Sequence, residues 1–129
     1  MASVLKEAKK KIVYVDDMNT SLLILKKALK EHYEIFLANS TKKMQKILKK
    51  IMPDLILLDV NMPDTDGYEL IKILKTDKHY SSIPVIFITG NDDKESVQEG
   101  LKLGAAAYVI KPFNALKMIE TINKILYPT

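Results

Sequence analysis

The chain has 129 residues, which is the size of one domain. Apolar residues make up 47% and charged residues 28%, a balance typical of a soluble globular protein and unlike that of a disordered or membrane protein. The absence of cysteine excludes disulfide scaffolds, zinc–thiolate centres and thiol nucleophiles. We therefore expect a single domain over residues 1–129, with its core at about residues 11–126.

The formal net charge is +4, and all twenty basic residues are lysines. Residues 1–50 carry twelve lysines and five acids, whereas residues 51–129 carry eight lysines and eleven acids. Lysine neutralises phosphates without reading bases, and arginine, which makes the commonest base-specific contact, is absent. We interpret the excess as a lysine-rich solvated surface and expect no specific nucleic-acid binding.

No segment has the pattern of a targeting or membrane element. The first eleven residues are too charged for a secretory signal. The apolar runs are only a few residues long, whereas a membrane helix needs about 20. We expect no membrane association and a cytoplasmic location.

Five short apolar runs predict strands. Each is rich in aliphatic or aromatic residues, and most lack the alternation of a half-exposed strand. Continuous runs of this length favour strands buried on both faces, as in a parallel sheet, over buried helical segments. In chain order they are residues 12–15, 35–38, 55–58, 85–88 and 108–110.

Apolar residues at three- and four-residue spacing predict an amphipathic helix after each strand. Ser40 or Thr41 could cap the second helix, and Gly104 falls where the fourth should end. Strict alternation of strands and helices predicts an α/β fold with a doubly wound, five-stranded parallel sheet. The expected apolar faces are Leu22, Leu25, Ala28 and Leu29; Met44, Ile47, Leu48 and Ile51; Leu70, Ile71 and Leu74; Val97, Leu101 and Leu103; and Ala115, Met118, Ile119, Ile122 and Leu126.

Polar residues follow four of the five strands, and in a parallel sheet those strand ends meet at one edge. Each residue alone has an ordinary explanation, as a turn, a cap or a surface lysine. Three converging carboxylates, however, repel one another unless a cation holds them, and a hard divalent ion such as Mg²⁺ takes oxygen ligands. With an ammonium opposite, such a site suits in-line attack of a carboxylate on a phosphoryl group. The residues are Asp16, Asp17, Asp59, Thr89 and Lys111.

Over about residues 11–126, the sequence resembles the receiver domains of two-component response regulators. Four motifs carry the resemblance, each modestly specific alone and very specific in this order and spacing. The resemblance implies a flavodoxin-like (βα)5 fold with sheet order 2-1-3-4-5. The motifs are Val-Asp-Asp at 15–17, Leu-Asp-Val-Asn-Met-Pro at 58–63 followed by Asp-Gly-Tyr-Glu-Leu at 66–70, Ile-Thr-Gly at 88–90, and the segment 104–113 with its Lys-Pro pair.

The resemblance implies that Asp59 is the phosphorylated nucleophile and also a ligand of Mg²⁺. Asp17 would bind the metal directly, Asp16 directly or through water, and Asn61 through its backbone carbonyl. Lys111 would pair with Asp59 and then with the phosphoryl oxygens.

Three further features follow from the resemblance. Thr89 would hydrogen-bond the phosphoryl group, Gly90 would leave space for it, and the Lys111–Pro112 bond would be cis. Tyr108 holds the family's switch-aromatic position, so phosphorylation would alter the face built from the fourth helix, fifth strand and fifth helix. Thr65 stands where many members have methionine, and Asn61 and Asn91 hold positions that influence phosphoryl lifetime.

The implied phosphodonor is a phosphohistidine on a sensor histidine kinase or phosphotransfer protein. The domain would catalyse its own phosphorylation and slow dephosphorylation, as a signalling domain and not a turnover enzyme. His32 and His79 lack the setting of a phosphotransfer histidine and are expected at the surface. The cognate kinase, the downstream target and phosphorylation-dependent dimerisation stay open.

Two other families share the fold class. A haloacid-dehalogenase-like phosphatase places its two catalytic aspartates two residues apart after the first strand, but here Asp16 and Asp17 are adjacent. A flavin or nucleotide module would need a glycine-rich loop at the same place. Both are therefore disfavoured. The chain shows no DNA-binding or kinase motif, and it leaves open whether the domain stands alone or belongs to a longer protein.

Overall fold

A computed structural model describes residues 9–63, 65–90 and 94–128, so that Asn91 lies outside the described residues. Five parallel strands form one sheet, and in chain order they are β1 (Lys11–Val15), β2 (Glu34–Ala38), β3 (Leu55–Asp59), β4 (Val85–Thr89) and β5 (Ala107–Ile110). Their order in the sheet is β2-β1-β3-β4-β5. This order confirms both the predicted fold class and the strand order implied by the resemblance.

Helices cover both faces of the sheet. The first and last helices pack on one face, and the second, third and fourth pack on the other. A two-residue antiparallel hairpin, Asn61–Met62 with Thr65–Asp66, lies between β3 and the third helix. The helices are α1 (Asn19–Leu29), α2 (Thr41–Leu48), α3 (Gly67–Thr76), α4 (Lys94–Lys102) and α5 (Ala115–Leu126). Within the described ranges, none is long and apolar enough to cross a membrane.

The central strands are buried on both faces, which is why their sequences read as continuous apolar runs. Successive side chains of a strand still point to opposite faces. In β1, Ile12 and Tyr14 pack toward α1 and α5, whereas Val13 and Val15 pack toward α2 and α3. Residue 16, two positions after Tyr14, therefore continues on the α1–α5 side.

Polar side chains fix the helix ends. Ser40 caps α2, since its Oγ accepts the Lys43 amide at 3.1 Å, which decides between the two predicted caps. Asn114 caps α5 in the same way. Gly104 follows α4 with φ of +111°, a conformation that favours glycine, as predicted.

The prediction for the apolar face of α4 was wrong at one position. Leu101 is 46% exposed, and Gly100 is buried instead. A Cβ at Gly100 would lie only 2.7 Å from Cδ2 of Phe87 and 3.2 Å from Cδ2 of Tyr108. The helix therefore approaches these two rings through its glycine, and that contact turns Leu101 toward solvent.

A Gly67→Ala substitution is expected to lower the free energy of unfolding by about 2 kcal/mol. A Cβ at residue 67 would lie 2.8 Å from the Cα of Val60 and 3.3 Å from its carbonyl oxygen, so backbone would have to move. Urea unfolding followed by circular dichroism measures the change. Gly90→Ala is the matched control, because no described atom lies within 4 Å of its added Cβ, and it should change stability by less than about 0.5 kcal/mol. Equal stability of the two variants would contradict this account.

Candidate functional site

The carboxyl ends of β1, β3, β4 and β5 bring the predicted site residues to one edge of the sheet. Carboxylate oxygens of Asp16, Asp17 and Asp59 lie within 4.8 Å of one another, and we call these three residues the acid cluster. Asp16 is fully buried and Asp59 is 5% exposed, whereas Asp17 is exposed. The cluster therefore opens to solvent on the side of Asp17.

Protein donors hold both oxygens of Asp16. Its Oδ1 accepts the Met18 amide at 3.0 Å, and its Oδ2 accepts the Lys111 ammonium at 2.8 Å and the Tyr14 hydroxyl. Burial raises the pKa of Asp16, but the hydrogen bonds from Lys111, Tyr14 and Met18 outweigh it and leave the pKa below its ordinary value. Asp16 therefore stays ionised inside the fold.

Asp59 lies in a less favourable environment for its charge. Its Oδ1 accepts the Asn61 amide at 3.0 Å, and its Oδ2 lies 3.6 Å from Nζ of Lys111. Burial has the largest effect on the pKa of Asp59 and raises it. The Asn61 amide and the Lys111 charge lower the pKa and the negative charge of Asp16 raises it, so that the pKa stays above its ordinary value. The cluster as a whole is thus short of positive charge.

Lys111 lies between the two buried carboxylates. Its backbone amide donates to the Thr89 carbonyl at 2.7 Å, which ties it to the end of β4, and the Lys111–Pro112 peptide is cis, as implied by the resemblance. Its ammonium is closer to Asp16 than to Asp59, although the resemblance implied a pair with Asp59. The ammonium lies nearer to Asp16 because Asp16 is ionised and its negative charge is stabilised by several hydrogen bonds.

Asn61 was singled out for its backbone carbonyl alone, but its side chain also has a contact. Its Nδ2 donates to Oγ1 of Thr89 at 2.9 Å. Thr89 is fully buried at the end of β4, and Asn61 lies two residues beyond Asp59 at the end of the neighbouring strand β3. This bond links the expected cation site to the expected phosphoryl-binding hydroxyl.

Tyr108 is half-buried on β5 and packs edge-on against Phe87, with ring centroids 5.9 Å apart. Its hydroxyl lies 3.4 Å from that of Tyr68, which in turn donates to the Ser96 carbonyl of α4 at 3.0 Å. Sequence reasoning missed Tyr68. Tyr68 lies in the motif at 66–70, but that motif carried no signal that the Tyr68 hydroxyl reaches α4.

Sequence reasoning also missed Tyr14. The available signal was its position, because residues i and i+2 of a strand share a face and Tyr14 stands two before Asp16. It is the polar aromatic residue in an otherwise aliphatic run. Burial, and then the bond to Asp16, raises the pKa of Tyr14 well above its ordinary value, so its phenol stays a hydrogen donor.

Comparison with known proteins agrees with this arrangement. A family model described as the response regulator receiver domain matches residues 12–123. A probable cyclic di-GMP phosphodiesterase of Vibrio cholerae is 42% identical over 101 residues, which make up 78% of this chain and 23% of that protein. The phosphate regulon transcriptional regulatory protein PhoB of Pseudomonas aeruginosa is 33% identical over 121 residues, or 93% of this chain and 53% of that protein. The chain thus spans only part of the length of these relatives.

Solved structures show the same likeness. The chemotaxis response regulator CheY4 of Vibrio cholerae matches with a TM-score of 0.84 at 28% identity, covering 92% of this chain and 100% of that one. The sequence motifs, the strand order and the matching family model lead to one conclusion. This chain belongs to the response regulator receiver domain family, the signalling domains that accept phosphoryl groups in two-component systems.

Proposed function

We propose that this domain accepts a phosphoryl group on Asp59 from the phosphohistidine of a histidine kinase or phosphotransfer protein. The observation that carries the proposal is the convergence of three carboxylates and one lysine at the carboxyl edge of the sheet. Asp59 is the candidate nucleophile because it ends strand β3, because its Oδ2 lies 3.6 Å from the Lys111 ammonium, and because it holds the position of the phosphorylated aspartate that the resemblance implies. A cytoplasmic location is part of the proposal, because the phosphohistidine is made there from ATP.

The donor set suits Mg²⁺. The acid cluster supplies hard oxygen ligands within 4.8 Å of one another, and the Asn61 carbonyl lies two residues after Asp59 in the chain. Three carboxylates against one ammonium leave excess negative charge, which a divalent ion would offset. When bound, Mg²⁺ supplies charge neutralisation for the oxygens of an incoming phosphoryl group.

The chain's own residues perform the transfer. A carboxylate oxygen of Asp59 forms a bond to the phosphorus of the phosphohistidine, the P–N bond breaks, and its electron pair leaves with the imidazole, which takes up a proton. Lys111 needs only a small shift to move its ammonium from the carboxylates to the phosphoryl oxygens. Hydrolysis of the Asp59 acyl phosphate later returns the carboxylate and releases inorganic phosphate, so the domain regulates its own signal.

Thr89 is the proposed link from the phosphoryl group to the signalling face. Its hydroxyl now accepts the Asn61 amide, and a phosphoryl group on Asp59 competes for it. Movement of Thr89 would change the space beside Tyr108, whose hydroxyl lies next to Tyr68 and, through it, the backbone of α4. The proposed signalling face is therefore α4, β5 and α5.

Adding beryllofluoride, a phosphoryl mimic, together with Mg²⁺ is expected to shift the backbone amide resonances of Asp59, Thr89 and Lys111. Shifts at Tyr108 and along α4 are expected as well, because the switch connects them to Thr89. ¹H–¹⁵N NMR spectra measure both sets.

The control is Asp59→Asn under the same conditions, which should show neither set of shifts. Shifts at the site without any at Tyr108 and α4 would refute the switch. No Mg²⁺-dependent shifts at the site would refute the phosphoacceptor assignment itself.

A further inference from the structure

We propose that Tyr14 is a positioning residue of the cation site, and that its hydroxyl determines which oxygen of Asp16 faces the cation. This inference rests on the proposed function, since it concerns the Mg²⁺ site of that function. Tyr14 belongs to the core, and its hydroxyl donates to Asp16. We therefore expect Tyr14 to act on the cation through Asp16, without contact to the phosphodonor or to the nucleophile.

The phenol of Tyr14 is held rigidly. The side chain is fully buried in the apolar cluster between the sheet and helices α1 and α5, which also contains Leu25 and Met118. Strand geometry places it on the same face as Asp16. Its hydroxyl therefore reaches Asp16 Oδ2 from a fixed point beneath the carboxylate.

The two oxygens of Asp16 have different hydrogen-bond partners, so they differ in their capacity to bind a cation. A carboxylate oxygen has about two lone-pair sites. On Oδ2, the Tyr14 hydroxyl and the Lys111 ammonium take both. On Oδ1, the contacts made by the described residues include one donor, the Met18 amide at 3.0 Å. Oδ1 is therefore the oxygen of Asp16 that can turn a lone pair to a cation.

Without the phenol, the two oxygens of Asp16 would no longer be held in distinct positions. The terminal torsion of an aspartate is broad and two-fold, so fixed donors are what hold its plane. With phenylalanine at residue 14, Lys111 would become the principal donor to Oδ2, and the carboxylate could follow the lysine as it moves. Groups that orient metal ligands in this way typically contribute 10- to 100-fold to metal affinity.

Tyr14→Phe is therefore expected to weaken Mg²⁺ binding by about tenfold. The measurement is the Mg²⁺ dissociation constant of the unphosphorylated protein, from ¹H–¹⁵N NMR titration. Tyr33→Phe is the matched control, because Tyr33 is also buried in the α1–α5 cluster and its hydroxyl donates to Asn123 at 2.6 Å, away from the acid cluster. It should bind Mg²⁺ within about twofold of wild type.

A second measurement needs no substitution. In wild-type protein labelled with ¹³C at tyrosine Cζ, Mg²⁺ should shift the Tyr14 resonance and leave that of Tyr33 in place. An unmoved Tyr14 resonance, or equal Mg²⁺ affinity of Tyr14→Phe and wild type, would overturn the inference while leaving the proposed function intact. Absence of Mg²⁺ binding by the wild type would instead overturn the proposed function.

Discussion

Replacement of Lys111 by methionine is expected to slow phosphoryl uptake by about 100-fold or more and to lower the free energy of unfolding by about 2 kcal/mol. The ammonium contacts Asp16 at 2.8 Å and lies 3.6 Å from Asp59, and both carboxylates are buried. Methionine retains the length of the side chain but leaves these charges without their cation. Because the Lys111 side chain is a quarter exposed, we expect less than the full cost of breaking a buried pair.

Uptake is measured as the rate of mass increase in excess acetyl phosphate and Mg²⁺, and stability by urea unfolding. Lys75→Met is the matched control, since the Lys75 ammonium is also partly buried but donates to the carbonyls of Ser81 and Ile83, away from the site. It should lower stability without slowing uptake. An uptake rate in Lys111→Met equal to that of wild type would show that Lys111 has no part in the transfer.

Asp59→Asn is expected to abolish phosphoryl uptake and, at neutral pH, to raise the free energy of unfolding by about 1 kcal/mol. The amide cannot act as the nucleophile, which accounts for the first effect. The second follows from the raised pKa of Asp59, which burial and the neighbouring Asp16 cause and which makes its ionised form costly in the fold. The variant removes that cost and keeps an oxygen for the Asn61 amide.

The raised pKa of Asp59 determines how the stability difference between Asp59→Asn and wild type changes with pH. Below the ordinary carboxyl pKa of 3.8, Asp59 is protonated in both the folded and the unfolded chain, so the charge penalty is absent. As the pH rises above 3.8 through the raised pKa of the folded state, the wild type loses stability relative to the variant, and the difference then becomes constant. Urea unfolding across this range measures the difference.

The control for uptake is Asp77→Asn, at an exposed carboxylate that accepts the His79 amide, and it should retain full phosphoryl uptake. A stability advantage that shrinks with rising pH would contradict the account.

The fold could be predicted from local patterns because a parallel sheet covered on both faces needs continuous apolar strands and alternating helices. The patterns do not order the strands, and that order came from the resemblance. The predicted apolar face of α4 was wrong at Leu101, because hydrophobic periodicity is read from apolar side chains and cannot show that a glycine is buried. Gly100 is buried through the close approach of Phe87, a tertiary contact that the helix's own sequence does not encode.

The convergence of Asp16, Asp17 and Asp59 with Lys111 could be predicted because topology alone brings the ends of parallel strands together. The contacts among these residues depend on side-chain directions across neighbouring strands, and the sequence alone does not give those directions. Lys111 lies closer to Asp16 than to Asp59, and the Asn61 side chain reaches Thr89. The role of Tyr14 depends on a hydroxyl that extends from the core to the edge of the sheet.

The most direct test of the central claim is the intact mass of the wild-type protein after incubation with acetyl phosphate, with and without Mg²⁺. The account predicts one added phosphoryl group, stable in acid and labile in base, only when Mg²⁺ is present, and none in Asp59→Asn. No added mass in the wild type, or an undiminished addition in Asp59→Asn, would contradict it.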